Sequence, residues 1–123
     1  EFIFYSKGDS WHGDKSQSDV WYNSRGATGA YVHPTQKPVE LVESAIGHAS
    51  NVGGVVLDLF GGSGTTAIAC EKTARDCRMM ELDPKYCDVI IQRWQEFTGN
   101  KATLEATGQT YDELKGERCN PEA

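Results

Sequence analysis

Asp58 and Glu81 are the two carboxylates whose surroundings could do chemistry. Asp58 closes the apolar run VVLD, and a turn with glycine at Gly61, Gly62 and Gly64 follows two residues later. Glu81 stands about 20 residues beyond that turn, the offset at which a ribose-binding acid belongs. A glycine turn after an apolar strand can hold a phosphate, a dinucleotide, or a ligand that is not a phosphate. The phosphate loop G-x-x-x-x-G-K-[ST] is excluded, because the turn has no lysine to reach the outer phosphates. Gly62, Gly64 and Ala67 do satisfy the dinucleotide pattern G-x-G-x-x-A. An ordinary tight turn between strand and helix would use the same glycines.

Asp58 separates these readings. A nicotinamide-binding strand stays apolar to its end, whereas a carboxylate there repels a pyrophosphate. It suits a ligand that carries an ammonium and a sulfonium, which is S-adenosylmethionine. Glu81 would then accept from both ribose hydroxyls, and the glycines would let the backbone approach the methionine part. Alone, Asp58 could equally be a buried carboxylate capping the turn that follows. The combination D-x-F-x-G-x-G with Glu81 carries the cofactor reading. A second stretch, HPTQKPVEL from His33 to Leu41, offers Lys37 as a cation for a carboxylate. By physics alone it is an extended, proline-held approach to a helix with an exposed lysine.

These residues need elements to position them. Val55–Phe60 reads as a parallel strand buried on both faces, Thr65–Thr73 as an alanine-rich helix, and Cys77–Leu82 as a second short strand. Asp83 is a helix N-cap with Pro84 in the first helical position. Tyr86, Val89, Ile90, Trp94 and Phe97 then line one face of a helix that stops near Gly99. Upstream, Pro38 opens an amphipathic helix with Val39, Val42, Ala45, Ile46 and Ala49 on one face, stopped by Asn51–Gly54. The order is a βαβ unit with a further helix. Glu1–Tyr5 reads as a strand, with another possible around Asp19–Tyr22. The loop-rich stretch between holds Trp11, Trp21, Tyr22 and Tyr31, which could stack on bases or anchor a long loop. After Lys101, "TYDE" could start a short helix, but a flexible tail is expected.

At 123 residues the chain is one domain at most. Its net charge of −6 argues mildly against a main surface that binds nucleic acid. No apolar stretch approaches the roughly 20 residues that span a bilayer, and the start lacks a signal-peptide pattern. The expectation is a cytoplasmic protein with no membrane partner. The start also lacks Met, so the chain is expected to be a piece of a longer protein. Cys70, Cys77, Cys87 and Cys119 show no metal-ligand or disulfide spacing, and His12, His33 and His48 complete no zinc pattern. No metal site is expected.

"HPTQKP", then "LDLFGGSGTT", then "MELDPKYCDVI", in that order, resemble the C-terminal part of a β-class DNA amino-methyltransferase. The resemblance covers about residues 1–101. It implies a partial, Rossmann-like α/β fold that transfers methyl from S-adenosylmethionine to N6 of adenine or N4 of cytosine, with N6-adenine favoured. Carried over, the cofactor-binding residues are His33, Pro34, Thr35, Gln36, Lys37, Asp58, Phe60, Gly61, Gly62, Ser63, Gly64, Thr65 and Glu81. The family's catalytic motif, [DNS]-P-P-[YFW], stacks and hydrogen-bonds a flipped base. It is absent from this sequence, and with it the strand that carries it, so no catalytic residue is assigned. "DPKY" at Asp83–Tyr86 imitates the motif but lacks its second proline and is read as a helix start.

The organisation expected is therefore threefold. Residues 1–32 end the catalytic half and adjoin target recognition, 33–101 bind the cofactor, and 102–123 form a flexible tail. Double-stranded DNA would be bound through the complete enzyme, and an absent N-terminal half or self-association would complete the sheet. A methyltransferase for a non-DNA substrate and a dinucleotide-binding module are the alternatives.

Overall fold

The structure, a computed structural model, describes Gly13, Ser16, Ser18, residues 20–23 and residues 37–119, with the side chains at 118 and 119 excepted. The expected strand at Glu1–Tyr5 lies outside the described residues. Where described, the expected strand around Asp19–Tyr22 is irregular chain.

Six elements follow in order: α1 (Val39–Ala49), β1 (Val55–Asp58), α2 (Thr65–Thr73), β2 (Asp76–Met79), α3 (Pro84–Thr98) and α4 (Tyr111–Cys119). β1 and β2 pair in parallel, from Val55 opposite Asp76 to Asp58 opposite Met79. A parallel pair needs a crossover, and α2 supplies it. α1 packs on α2, and α2 packs on β2 and α3. The core lies between these helices and one face of the strand pair. Ile46, Ala69 and Cys70 are buried there, with Val39, Val42, Val56 and Cys77 against them. Burial pushes the Cys70 thiol up to about 12, with Cys77 beside it adding to the rise. Neither thiol is a ready nucleophile at neutral pH.

Local signals explain where the helices begin and end. α3 starts because Asp83 accepts the Lys85 N–H at 2.9 Å and Pro84 fits the first turn. It stops where Gly99 turns left-handed, at φ +71°. α2 ends at Ala74, a left-handed non-glycine residue, and Arg75 N–H reaches back to the Cys70 carbonyl at 2.9 Å. Trp21 lies 5.2 Å, ring to ring, from His48 of α1.

Three expectations are corrected. Both strands are shorter at their carboxyl ends than expected, β1 ending at Asp58 and β2 at Met79, with the Met80 N–H on the Asp58 carbonyl at 2.8 Å. Val55–Phe60 was expected to be buried on both faces, yet Val55 and Leu57 are 63% and 64% exposed. Among the described residues, helices cover only the Val56–Cys77 face. Finally, 102–119 carries more structure than a flexible tail. The Glu113 carboxylate accepts from the Thr110 N–H and hydroxyl, both at 2.7 Å, closing a capping box at the start of α4. Gln92 of α3 donates to the Tyr111 hydroxyl at 2.9 Å, and Gln95 accepts the Ala102 N–H at 2.8 Å, docking the segment on α3.

Candidate functional site

The site lies beyond the carboxyl ends of β1 and β2, where open α/β sheets hold their ligands. Asp58 ends β1, and its carboxylate Oδ1 accepts the Phe60 N–H at 3.0 Å. Its other oxygen accepts no hydrogen bond from a described residue. The capping role weighed for Asp58 is thus real, and it leaves half of the carboxylate open. Glu81 follows β2. Its Oε2 accepts the Gly62 N–H at 2.7 Å and its Oε1 accepts the Asp83 N–H at 2.9 Å.

The glycines serve two purposes. Gly62 and Gly64 adopt φ +55° and +80°, a region that side chains disfavour. A Cβ on Gly61 would lie 2.6 Å from Met79 Sδ, and one on Gly64 would lie 3.1 Å from Ile90. Gly61 and Gly64 therefore let β2 and α3 close on the turn, while a Cβ on Gly62 would meet the Phe60 carbonyl oxygen at an ordinary 3.9 Å. This qualifies the expectation that all three admit a ligand. Ser63 and Thr65 are buried with their hydroxyl oxygens 3.4 Å apart, so their side chains serve the turn itself. The Phe60 ring is 89% exposed.

Four of the N–H groups at the turn are already committed. Phe60 N–H goes to Asp58, Gly61 N–H to the Met80 carbonyl at 2.9 Å, Gly62 N–H to Glu81, and Gly64 N–H to the Gly61 carbonyl at 2.9 Å. A phosphate cradle needs such groups free and pointing at the anion. Here carboxylates and carbonyls hold four of them, two of these on Asp58 and Glu81.

The structure brings Asp58, Phe60, Gly61, Gly62, Ser63, Gly64, Thr65 and Glu81 together. Lys37 is exposed just ahead of Pro38, the N-cap of α1. His33, Pro34, Thr35 and Gln36 lie outside the described residues. Among those described, no group of three or more His, Cys, Asp or Glu side chains could hold a metal ion. Asp83 of "DPKY" caps α3 and Tyr86 is half-buried in its first turns, which is the geometry of a helix start.

Two contributors were missed by sequence reasoning. Ile90 abuts Gly61 and Gly64, and Arg93 donates to the Ser63 carbonyl. The signal for Arg93 was present, since a cation seven residues after Tyr86 interrupts the apolar stripe of α3.

A family model describing DNA methylases, of the N6/N4 type, matches residues 5–93. The chain belongs to that family. A Type II methyltransferase of Moraxella bovis, M2.MboI, is 34% identical over 92 residues, covering 71% of this chain and 33% of its own length. M.HinfI of Haemophilus influenzae is 32% identical over 100 residues, covering 75% and 28%. The crystal structure of M1.HpyAVI in complex with SAM superposes with a TM-score of 0.56 at 30% identity, covering 68% of this chain and 44% of that one. The chain thus spans about a third or less of the length of these two sequence relatives. Its helices and small parallel sheet are a partial, Rossmann-like methyltransferase fold.

Proposed function

We propose that this chain is the S-adenosylmethionine-binding portion of a DNA amino-methyltransferase acting on N6 of adenine in preference to N4 of cytosine. The observation that carries the reading is the pair of carboxylates on the glycine turn. They hold the Phe60 and Gly62 N–H groups of the turn, and the second oxygen of Asp58 accepts no hydrogen bond from a described residue. The cofactor, when bound, supplies a methyl group on a sulfonium. The open oxygen of Asp58 would take its ammonium, Glu81 its ribose hydroxyls, and Phe60 an apolar face of it. His33, Pro34, Thr35, Gln36 and Lys37 would close over the methionine end. The task of these residues is to fix the methyl for in-line attack by an exocyclic amino nitrogen. None of them is assigned as the base that relieves that nitrogen of its proton.

The bare side of the strand pair fits this reading. Val55 and Leu57 expose an apolar face, and β1 pairs only with β2 among the described strands. An unpaired apolar edge is a template for another strand. The remainder of a methyltransferase polypeptide, or a second copy of this chain, would cover it. Alone, the chain should bind cofactor weakly, self-associate and leave DNA unmethylated.

Calorimetric titration with S-adenosylmethionine and, separately, with a nicotinamide dinucleotide tests the cofactor. Binding of the dinucleotide alone would overturn the proposal. Light scattering and a methyl-transfer assay, with and without the N-terminal part of the enzyme, test the rest. A monomer that methylates DNA unaided would show that the catalytic residues are misplaced.

A further inference from the structure

We propose that Arg93 is a positioning residue for cofactor binding, acting through the Ser63 carbonyl to fix the last peptide plane of the glycine turn. The inference rests on the cofactor reading above and adds to it a residue in α3, outside the strand ends and the turn.

Glycine does not hold a shape by itself, because it visits left- and right-handed backbone conformations with similar ease. The turn therefore depends on external clasps. Three of its planes have them: Gly61 N–H on the Met80 carbonyl, Gly62 N–H on Glu81, and Gly64 N–H on Gly61. Gly64 is also the N-cap of α2 and provides no side-chain cap. On the Ser63–Gly64 plane, the carbonyl side is held by the Arg93 guanidinium. Arg93 is half-buried, and burial lowers its pKa, with Glu96 opposing the shift. An arginine remains charged regardless, so the bond is charge-assisted.

Arg93 acts with Ile90, three residues earlier on the same face of α3. The Ile90 side chain lies 3.1 Å from where a Gly64 Cβ would stand. α3 thus applies a steric stop and a polar pin to one peptide plane. The next residue, Trp94, makes a different tie, donating to Glu71 of α2 at 2.7 Å, away from the turn. That neighbour is the internal control for an interaction that only holds α3 in place.

The test compares Arg93→Met, Arg93→Lys and Trp94→Phe by calorimetry with S-adenosylmethionine and by thermal unfolding. Arg93→Met keeps the stem but no donor, and should bind the cofactor about tenfold or more weakly. Arg93→Lys keeps one cationic donor and should fall between it and wild type. Trp94→Phe should lower the unfolding temperature and leave affinity unchanged. In the complete enzyme, Arg93→Met should raise KM for the cofactor and spare kcat. Wild-type affinity in Arg93→Met, or an equal affinity loss in Trp94→Phe, would overturn the proposal. Should Arg93→Met not fold, Arg93→Gln, which is too short to reach Ser63 in the same way, decides by the same criterion. Failure of the wild-type protein itself to bind would remove the cofactor reading first, and this inference with it.

Discussion

The two ends of the β1–β2 pair solve the same problem with opposite charges. At the amino end, Gly53 N–H meets the Ala74 carbonyl at 2.7 Å and Asp76 N–H meets the Gly54 carbonyl at 3.0 Å. The leftover carbonyls there are gathered by a cation. Arg75 donates to the Ser50 carbonyl at 2.7 Å, to the Ser50 hydroxyl at 3.2 Å, and to the Thr73 carbonyl. At the carboxyl end the leftover groups are N–H donors, and anions gather them: Asp58 takes Phe60, while Glu81 takes Gly62 and Asp83. The difference is what remains afterwards. The planar guanidinium spends three of its five N–H donors on the protein. Asp58 keeps one oxygen that accepts from no described residue, beside the glycine turn. One end is tied to its own carbonyls by a cation, and the other holds the two carboxylates to which cofactor binding is proposed.

This contrast breaks most sharply under substitution of its charged members. Asp58→Ala and Glu81→Ala should each cost about 1.5–3 kcal/mol of cofactor binding, roughly 10- to 150-fold in affinity. Calorimetry would read this, and unchanged affinity in both would remove the site assignment. Arg75→Ala should do the reverse, leaving affinity intact while costing about 1–3 kcal/mol of stability in urea unfolding. A binding defect in Arg75→Ala would show that the two ends are coupled.

Smaller effects sharpen the picture away from the strand ends. Hydrogen bonds from Thr110 hold Glu113 below its ordinary carboxylate value of 4.5. Its contribution to α4 is therefore full above that value and is lost as pH falls through the lower folded one. Amide shifts over Thr110–Leu114 should move toward unfolded values in acid while those of α3 hold. The smallest effect expected is at Tyr86. Tyr86→Phe in the complete enzyme should keep methylation, because the residue belongs to a helix start. Lost turnover with folding and cofactor binding unchanged would return "DPKY" to the catalytic site.

What was legible in the sequence follows from how local each signal is. Asp83, Pro84 and Gly99 set the limits of α3 through cap chemistry, and α2 runs over Thr65–Thr73 as its composition suggests. The carboxyl ends of the strands were not legible. Leu59 and Leu82 look like strand residues, yet β1 ends at Asp58 and β2 at Met79. α4 was half-legible. Thr110 and Glu113 spell a capping box, but no apolar run follows to confirm a helix. The docking of Tyr111 on Gln92 is tertiary and leaves no local trace. Asp58 and Glu81 were legible as carboxylates beside a glycine turn, whereas their bonds to its N–H groups, and that of Arg93 to its carbonyl, needed the fold. The bare face of β1 was misread for the same reason, since an apolar run does not say which of its faces is covered.

One measurement addresses the contrast between the ends directly. Backbone amide shifts of the isotopically labelled protein would be followed while S-adenosylmethionine is added. The account predicts changes concentrated at Asp58–Thr65 and Glu81–Asp83, with Asn51–Gly54 and Ala74–Asp76 unmoved. Changes centred on the Arg75 end, or the same carboxyl-end pattern produced by a nicotinamide dinucleotide, would contradict it.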